Sequence, residues 1–176
     1  MTNETLNTIF TRKSVRKYTD QKIEPEKINN LLKAAMSAPS AVNRQPWDFI
    51  VVDDKLVLEK IAKAMPYAKM TKNAAIAIVV CGNLKKALPG KAKDYWVQDC
   101  SSATTNILLA AHAQGLGAVW TGVYNDEKKV DKLKEILALP QHIIPLNVIP
   151  IGYPSKINLK DNSRFKEKSI HYNSWK

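Results

Sequence analysis

The stretch that decides the fold is residues 95–122, which read YWVQDCSSATTNILLAAHAQGLGAVWTG. Its first twenty residues are small or apolar to an unusual degree and predict a long helix that ends at Gly115, a typical helix C-cap. Apolar side chains lie nearly all round this helix, which predicts burial on every side. A chain of 176 residues can hardly cover such a helix alone, so we expect a homodimer interface along it.

The flanking sequence predicts an α+β fold, with a central sheet and helices on its faces. Amphipathic periodicity indicates helices over residues 25–37 and 126–137, and Asp53-Asp54 caps another. Strands are predicted over residues 47–52, 74–80, 117–123 and 146–151, and the continuously apolar second strand indicates a sheet covered on both faces. Strands and helices do not follow a strict βαβ rhythm. We expect residues 1–176 to form one domain.

Charge and composition exclude several classes of protein. The 27 Lys and Arg against 16 Asp and Glu give a net charge of +11, which would suit nucleic acid if the cations were clustered. The lysines are instead spread along amphipathic helices, where they are expected on solvent-exposed faces. The positive charge would also favour the binding of anionic partners such as the phosphates of NAD(P)H. No apolar run approaches the roughly 20 residues that cross a bilayer, and the polar start is unlike a signal peptide. We therefore expect a cytoplasmic protein that binds neither membrane nor nucleic acid.

Metal and dithiol chemistry are not indicated. Cys81 and Cys100 lack the close spacing of a zinc or dithiol site, which predicts buried, unpaired thiols. His112, His142 and His171 show no metal-ligand spacing, so we expect no metal centre.

Three motifs carry candidate chemistry. In an extended segment Arg12, Ser14 and Arg16 share one side and offer two guanidinium forks and a hydroxyl to a phosphate, although a solvated basic turn would look similar. Residues 38–47 read APSAVNRQPW, and uncharged donors and acceptors stand between its prolines; turn chemistry explains Ser40 and Asn43 but leaves Gln45 without a role. Residues 115–122 have small side chains that let a flat ligand approach backbone amides, or simply form a tight helix-to-strand crossing.

No glycine-rich phosphate loop is present, so side chains must hold any nucleotide cofactor. In order and spacing, the three motifs resemble the nitroreductase family of FMN enzymes over essentially the whole chain. The Gln98-Asp99-x-Ser101 helix start, the Ile151-Gly152-Tyr153-Pro154 turn and a late arginine near Trp175 extend the resemblance. It implies a nitroreductase-like fold with a mostly antiparallel sheet, an intertwined homodimer, and FMN sites at the interface.

The resemblance also implies residue roles. The phosphate, ribityl and pyrimidine oxygens of FMN would contact the arginine-serine-arginine cluster, with Lys13 adding a contact and Arg164 as the late phosphate-binding arginine. Asn162 stands where the family often has a lysine, which leaves more of the phosphate to the arginines, and Lys69 or Lys72 could face the flavin pyrimidine. From the other subunit would come Pro39, Ser40, Asn43 and Gln45, while Trp120, Thr121 and Gly122 would face flavin N5 and O4.

The reaction implied is hydride transfer from NADH or NADPH through flavin to nitroaromatic, quinone or similar acceptors, in alternating-substrate fashion. No general acid or nucleophile stands out, so no catalytic side chain is assigned. The physiological acceptor and the choice between NADH and NADPH stay open. Alternatives are a flavin-dependent reductive dehalogenase or another specialised family member, in which residues 82–93 would be the lid, and a basic nucleic-acid-binding module.

Overall fold

The computed structural model describes residues 3–156 and 164–175 of the chain. Five α-helices form in this part of the chain: α1 (Glu4–Thr11), α2 (Pro25–Met36), α3 (Lys55–Ala64), α4 (Tyr95–Ala113) and α5 (Glu127–Leu137). The strands are β1 (Trp47–Val52), β2 (Ile76–Asn83), β3 (Gly117–Ala118), β4 (Thr121–Gly122) and β5 (Ile143–Gly152). Short 3₁₀ segments occupy Ala41–Asn43, Pro66–Asn73, Gly90–Ala92 and Glu167–Ser169. No described helix is long and apolar enough to cross a membrane.

The strands form one five-stranded antiparallel sheet. Its order is β1-β2-β5-β3, and β4 also pairs with β5. The long strand β5 therefore holds both short strands, with Ala118 opposite Ile151 and Thr121 opposite Val148. This arrangement confirms the predicted α+β class with a central antiparallel sheet and flanking helices.

Local sequence signals explain where the helices begin. The carboxylate of Asp54 accepts a hydrogen bond from the backbone amide of Val57 at 2.9 Å, and Asp126 accepts one from Lys129 at 3.2 Å. Pro25 stands in the first turn of α2, where its missing N–H costs nothing. The predicted helices over residues 25–37, 95–114 and 126–137 are thereby confirmed to within one residue at each end.

Two apolar clusters cover the two faces of the sheet. One packs α2 and α4 against Ile78, Val80 and Ile149; the other packs α3 and α5 against Val79 and Val148. Every residue of β2 is buried, as its continuously apolar sequence predicts. Cys81 and Cys100 are also buried and unpaired, which confirms the prediction made for them.

Two expectations need correction, and a third depends on the dimer. The predicted strand over residues 117–123 is divided into β3 and β4, because Pro150 lies opposite the interruption and has no N–H to donate. Met36 continues the apolar periodicity of α2 and was expected to face inward, but it is 54% exposed. Helix α4 leaves Gln98, Thr105 and Ala113 exposed in the single chain, on a side that the expected homodimer interface would cover.

Candidate functional site

The segment from Arg12 to Arg16 runs beside β3 like an additional strand. Ser14 forms a parallel bridge with Ala118, and the backbone amide of Val15 donates to the Ala118 carbonyl at 2.9 Å. A Cβ atom at Gly117 would lie 2.6 Å from Cγ1 of Val15, so only glycine allows the two backbones to approach this closely. Continuing the parallel register brings Arg16 level with Trp120.

Arg16 and the Trp120–Gly122 backbone line one cavity of about 210 Å³. The structure therefore brings together two of the three motifs singled out in the sequence. A Cβ atom at Gly122 would meet no atom within 4 Å, so the backbone there faces open space. The full lining consists of Arg16, Met65, Tyr67, Val119, Trp120, Thr121, Gly122 and Lys129.

Lys129 is a cation at this cavity that the sequence analysis does not single out. It lies in the first turn of α5, and its ammonium group pairs with the Asp126 carboxylate at 2.9 Å. The Asp126 cap is visible in the sequence, but only the tertiary structure places Lys129 in the lining of the same cavity as Arg16. The lysines expected at the flavin pyrimidine, Lys69 and Lys72, line a different cavity.

A second group of cations surrounds the end of α1. Arg12 is partly buried, and burial together with the positive charge of Arg164 lowers the pKa of its guanidinium. Burial and the charges of Arg12 and Lys13 likewise lower the pKa of His112. Arg12, Lys13, His112 and Arg164 therefore form a basic cluster that joins α1, α4 and the C-terminal segment. Asn162 lies outside the described residues.

The arginines of the two basic groups have no acidic partner among the described residues. Within residues 3–156 and 164–175, the ion pairs join lysines to carboxylates, and Arg12, Arg16 and Arg164 take part in none. A partly buried guanidinium beside a second guanidinium is unfavourable unless an anion binds between them. The arrangement is therefore suited to a phosphate or another compact anion.

The loop of residues 38–47 is held in a specific shape. Val42, Asn43 and Gln45 have positive φ angles of 51°, 52° and 48°. The Ser40 hydroxyl accepts a hydrogen bond from the Gln45 amide at 2.9 Å, and the Gln45 side chain donates to that of Asn43 at 3.1 Å. Gln45 therefore helps to close the turn in the single chain.

The remaining motif, the loop of residues 38–47, is not part of the cavity described above. Pro39, Ser40, Asn43 and Gln45 do not line the space between Arg16 and Trp120 within this chain. Instead the loop is tied to α4, because the buried Asp99 carboxylate accepts a hydrogen bond from the Ala41 backbone amide at 2.8 Å. Asp99 is a positioning residue that the sequence marks only by its place in the helix start.

Comparisons with known proteins agree with this geometry. The nitroreductase family model matches residues 9–67 and 64–153. A curated protein of Methanothermobacter thermautotrophicus, which carries the provisional name NADH dehydrogenase/NAD(P)H nitroreductase, is 48% identical over 98% of this chain and 88% of its own. The NADPH-dependent FMN reductase of Bacillus subtilis is 29% identical over 98% of this chain and 75% of its own.

A solved structure shows the same fold. The FMN-dependent nitroreductase of Clostridium difficile R20291 superposes with a TM-score of 0.88 and 32% identity. The superposition covers 97% of this chain and 99% of that one. Together with the family match, this likeness shows that the chain belongs to the nitroreductase family.

Proposed function

We propose that this protein is an FMN-dependent oxidoreductase that takes electrons from NADH or NADPH and delivers them to nitroaromatic, quinone or similar small acceptors. The observation that carries the proposal is that Arg12, Arg16 and Arg164 form no ion pair with any carboxylate in residues 3–156 and 164–175. Arg12 and Arg16 flank the bridge from Ser14 to β3, and the charge of Arg164 acts on Arg12. FMN, when bound, would supply the hydride chemistry, accepting from the nicotinamide and donating to the acceptor. The relatives named for FMN and NAD(P)H support the same assignment.

The residues present fit a phosphate at one end and a flat polar ring at the other. Arg12 and Arg164 would bind the phosphate, with Lys13 and Ser14 beside them, because a dianion would offset the burial and the repulsion by Arg164 that together lower the Arg12 pKa. Arg16 and Lys129 place two positive charges at the cavity, where they would stabilise negative charge on the pyrimidine edge. The open backbone at Thr121 and Gly122 would let amide groups contact the ring.

A homodimer would complete this site. The cavity of about 210 Å³ in one chain is smaller than the roughly 300–1,000 Å³ of ordinary ligand pockets. The loop of residues 38–47 projects Val42, which is 82% exposed, and the C-terminal segment leaves Trp175 87% exposed. Burial of these side chains against a partner would bring Pro39, Ser40, Asn43 and Gln45 of one subunit to the cavity of the other. In this dimer each subunit would consist of one domain over residues 1–176.

The first experiment is to titrate the purified protein with FMN and follow flavin absorbance and fluorescence. We expect a yellow complex that oxidises NADH or NADPH when a nitroarene or a quinone is present, with the parallel initial-rate lines of alternating substrates. The variants Arg12→Ala and Arg164→Ala should each lower the affinity for FMN at least tenfold, since one charged hydrogen bond is worth roughly 1.5–3 kcal/mol. Lys132→Ala, an exposed lysine paired with Glu135, serves as the control and should bind FMN normally.

Several outcomes would contradict the proposal. A protein that stays colourless after incubation with FMN has no flavin site. A monomer in light scattering that still binds FMN tightly would disprove the shared site. Release of halide from a halogenated phenol, faster than reduction of any nitroarene or quinone, would favour the reductive dehalogenase alternative.

A further inference from the structure

A second cavity is lined by the end of α3 and by the 3₁₀ segment Pro66–Asn73. Its volume is about 510 Å³, within the range of ordinary ligand pockets. Ala62 and Pro66 supply apolar surface, and Glu59 supplies the single carboxylate of the lining. The remaining lining residues are all cationic: Lys63, Lys69 and Lys72.

The three lysines are exposed, and none forms an ion pair in the part of the chain that the structure describes. The lysines paired with carboxylates there are Lys27, Lys86, Lys129 and Lys132. Lys63 lies in the last turn of α3, whereas Lys69 and Lys72 lie one turn apart on the 3₁₀ segment, so lysines from two elements line one cavity. Such a convergence favours a ligand with more than one negative charge.

The cavity is adjacent to the candidate flavin site. Met65 and Tyr67 line the site that contains Arg16, and their neighbours Pro66 and Lys69 line the lysine cavity. Pro66 stands between Met65 and Tyr67 in the chain, so residues of one short segment line both cavities. A molecule that reached from the candidate flavin site into the second cavity would meet lysines at its far end, which favours an anionic group there.

We propose that the lysine cavity binds the adenosine diphosphate half of the nicotinamide donor. Lys63, Lys69 and Lys72 contact the phosphates, Ala62 and Pro66 contact the adenine, and the Glu59 carboxylate accepts a hydrogen bond from a ribose hydroxyl. This inference rests on the proposed function, because it assigns the far end of a donor whose nicotinamide reaches the flavin. It adds a binding surface that Arg16 and residues 120–122 do not supply.

The test compares two electron donors that differ only in this half. NADH and NADPH carry adenosine diphosphate, whereas 1-benzyl-1,4-dihydronicotinamide carries the reducing ring without it. In Lys69→Ala/Lys72→Ala we expect the KM for NADH and NADPH to rise roughly five-fold, as for the loss of two exposed ion pairs. The KM for the benzyl donor should not change, and the effect on NADH and NADPH should shrink at high salt.

Direct binding gives a second readout. ADP titrated calorimetrically into the protein should bind several-fold more weakly to Lys69→Ala/Lys72→Ala than to the original protein. The matched control, Lys60→Ala/Lys128→Ala, also removes two lysine charges, but at exposed positions outside this cavity. It should leave ADP affinity and both KM values unchanged.

The two proposals fail differently. Equal changes for the benzyl donor and the dinucleotides, or equal changes in the control variant, would overturn the lysine cavity as the adenosine diphosphate site. If the FMN-loaded protein oxidises neither donor, the proposed function fails, and the ADP titration decides the cavity alone. Unchanged ADP affinity in Lys69→Ala/Lys72→Ala would then refute it.

Discussion

The side chain of Asp99 accepts a hydrogen bond from the backbone amide of Ala41 at 2.8 Å. Asp99 lies in α4, is 7% exposed, and is separated from Ala41 by 58 positions in the chain. This contact joins the long helix, which we expect at the dimer interface, to the loop that we expect to reach the partner's flavin. We therefore expect a substitution at this end of α4 to affect the loop.

Replacing Asp99 should affect both folding and cofactor binding. Asp99→Ala leaves the Ala41 N–H without its acceptor, and we expect a loss of about 2 kcal/mol in the free energy of unfolding, measured in urea. FMN affinity should fall as well, because residues 40–45 lose their anchor. Asp99→Asn keeps the Oδ1 acceptor and should restore most of both quantities. An Asp99→Ala protein of unchanged stability would show that the hydrogen bond contributes nothing.

The close approach at Gly117 predicts a strong difference between two glycines. Gly117→Ala places a methyl group 2.6 Å from Cγ1 and 2.8 Å from Cβ of Val15, so we expect a loss of about 2 kcal/mol and weaker FMN binding. Adding Val15→Ala removes the first clash but not the second and should recover the stability only in part. In Gly122→Ala the added methyl group meets no atom within 4 Å, so this variant should fold normally but bind FMN more weakly. Equal unfolding midpoints for Gly117→Ala and Gly122→Ala would contradict this account.

His112 should report on the basic cluster. The Thr11 hydroxyl donates to the Asn7 carbonyl at 2.7 Å, so it must accept from His112 Nε2 at 2.8 Å, which assigns the proton to Nε2. The lowered pKa of His112 means that its neutral form is favoured on folding. Its contribution to stability is thus present above the unfolded pKa and is lost as the pH falls through the folded one.

Nuclear magnetic resonance of ¹⁵N-labelled histidine measures this directly. We expect the His112 pKa to lie below the usual 6.5 and to rise in Arg12→Ala, because a nearby positive charge is removed. Inorganic phosphate should raise it in the original protein for the same reason. If the His112 pKa changes neither in Arg12→Ala nor on addition of phosphate, Arg12 is too far from His112 to influence its titration.

Cys81 predicts how stability changes in alkaline solution. Burial, with a smaller effect from Asp48, raises the pKa of this thiol from 9.0 to about 12. The folded protein therefore keeps a proton that the unfolded chain loses, so this contribution is complete below pH 9 and is lost between about 9 and 12. The free energy of unfolding of Cys81→Ala, measured in urea, should therefore fall less steeply with pH in this range than that of the original protein. The two slopes should differ by up to about 1.4 kcal/mol per pH unit. Parallel curves for the two proteins would refute the assignment.

The sequence predicted the helices and the central strands because their signals are local. The Pro25 start, the Asp54 and Asp126 caps and the apolar run of β2 each depend on neighbouring residues alone. The interruption between β3 and β4 was not predicted, since it depends on Pro150 in a strand that is distant in sequence.

For the candidate site, the sequence alone indicated the family and the residues that we propose for the FMN phosphate and the flavin ring. Arg12, Ser14, Arg16 and residues 120–122 stand in a recognisable order, and order is a property of the chain. Only the tertiary structure decided that Ser14 pairs with Ala118, that Lys129 rather than Lys69 or Lys72 lies beside Arg16, and that Asp99 holds the loop of residues 38–47. These contacts join residues far apart in the sequence, and their partners are selected by packing of the sheet and helices rather than by any local preference.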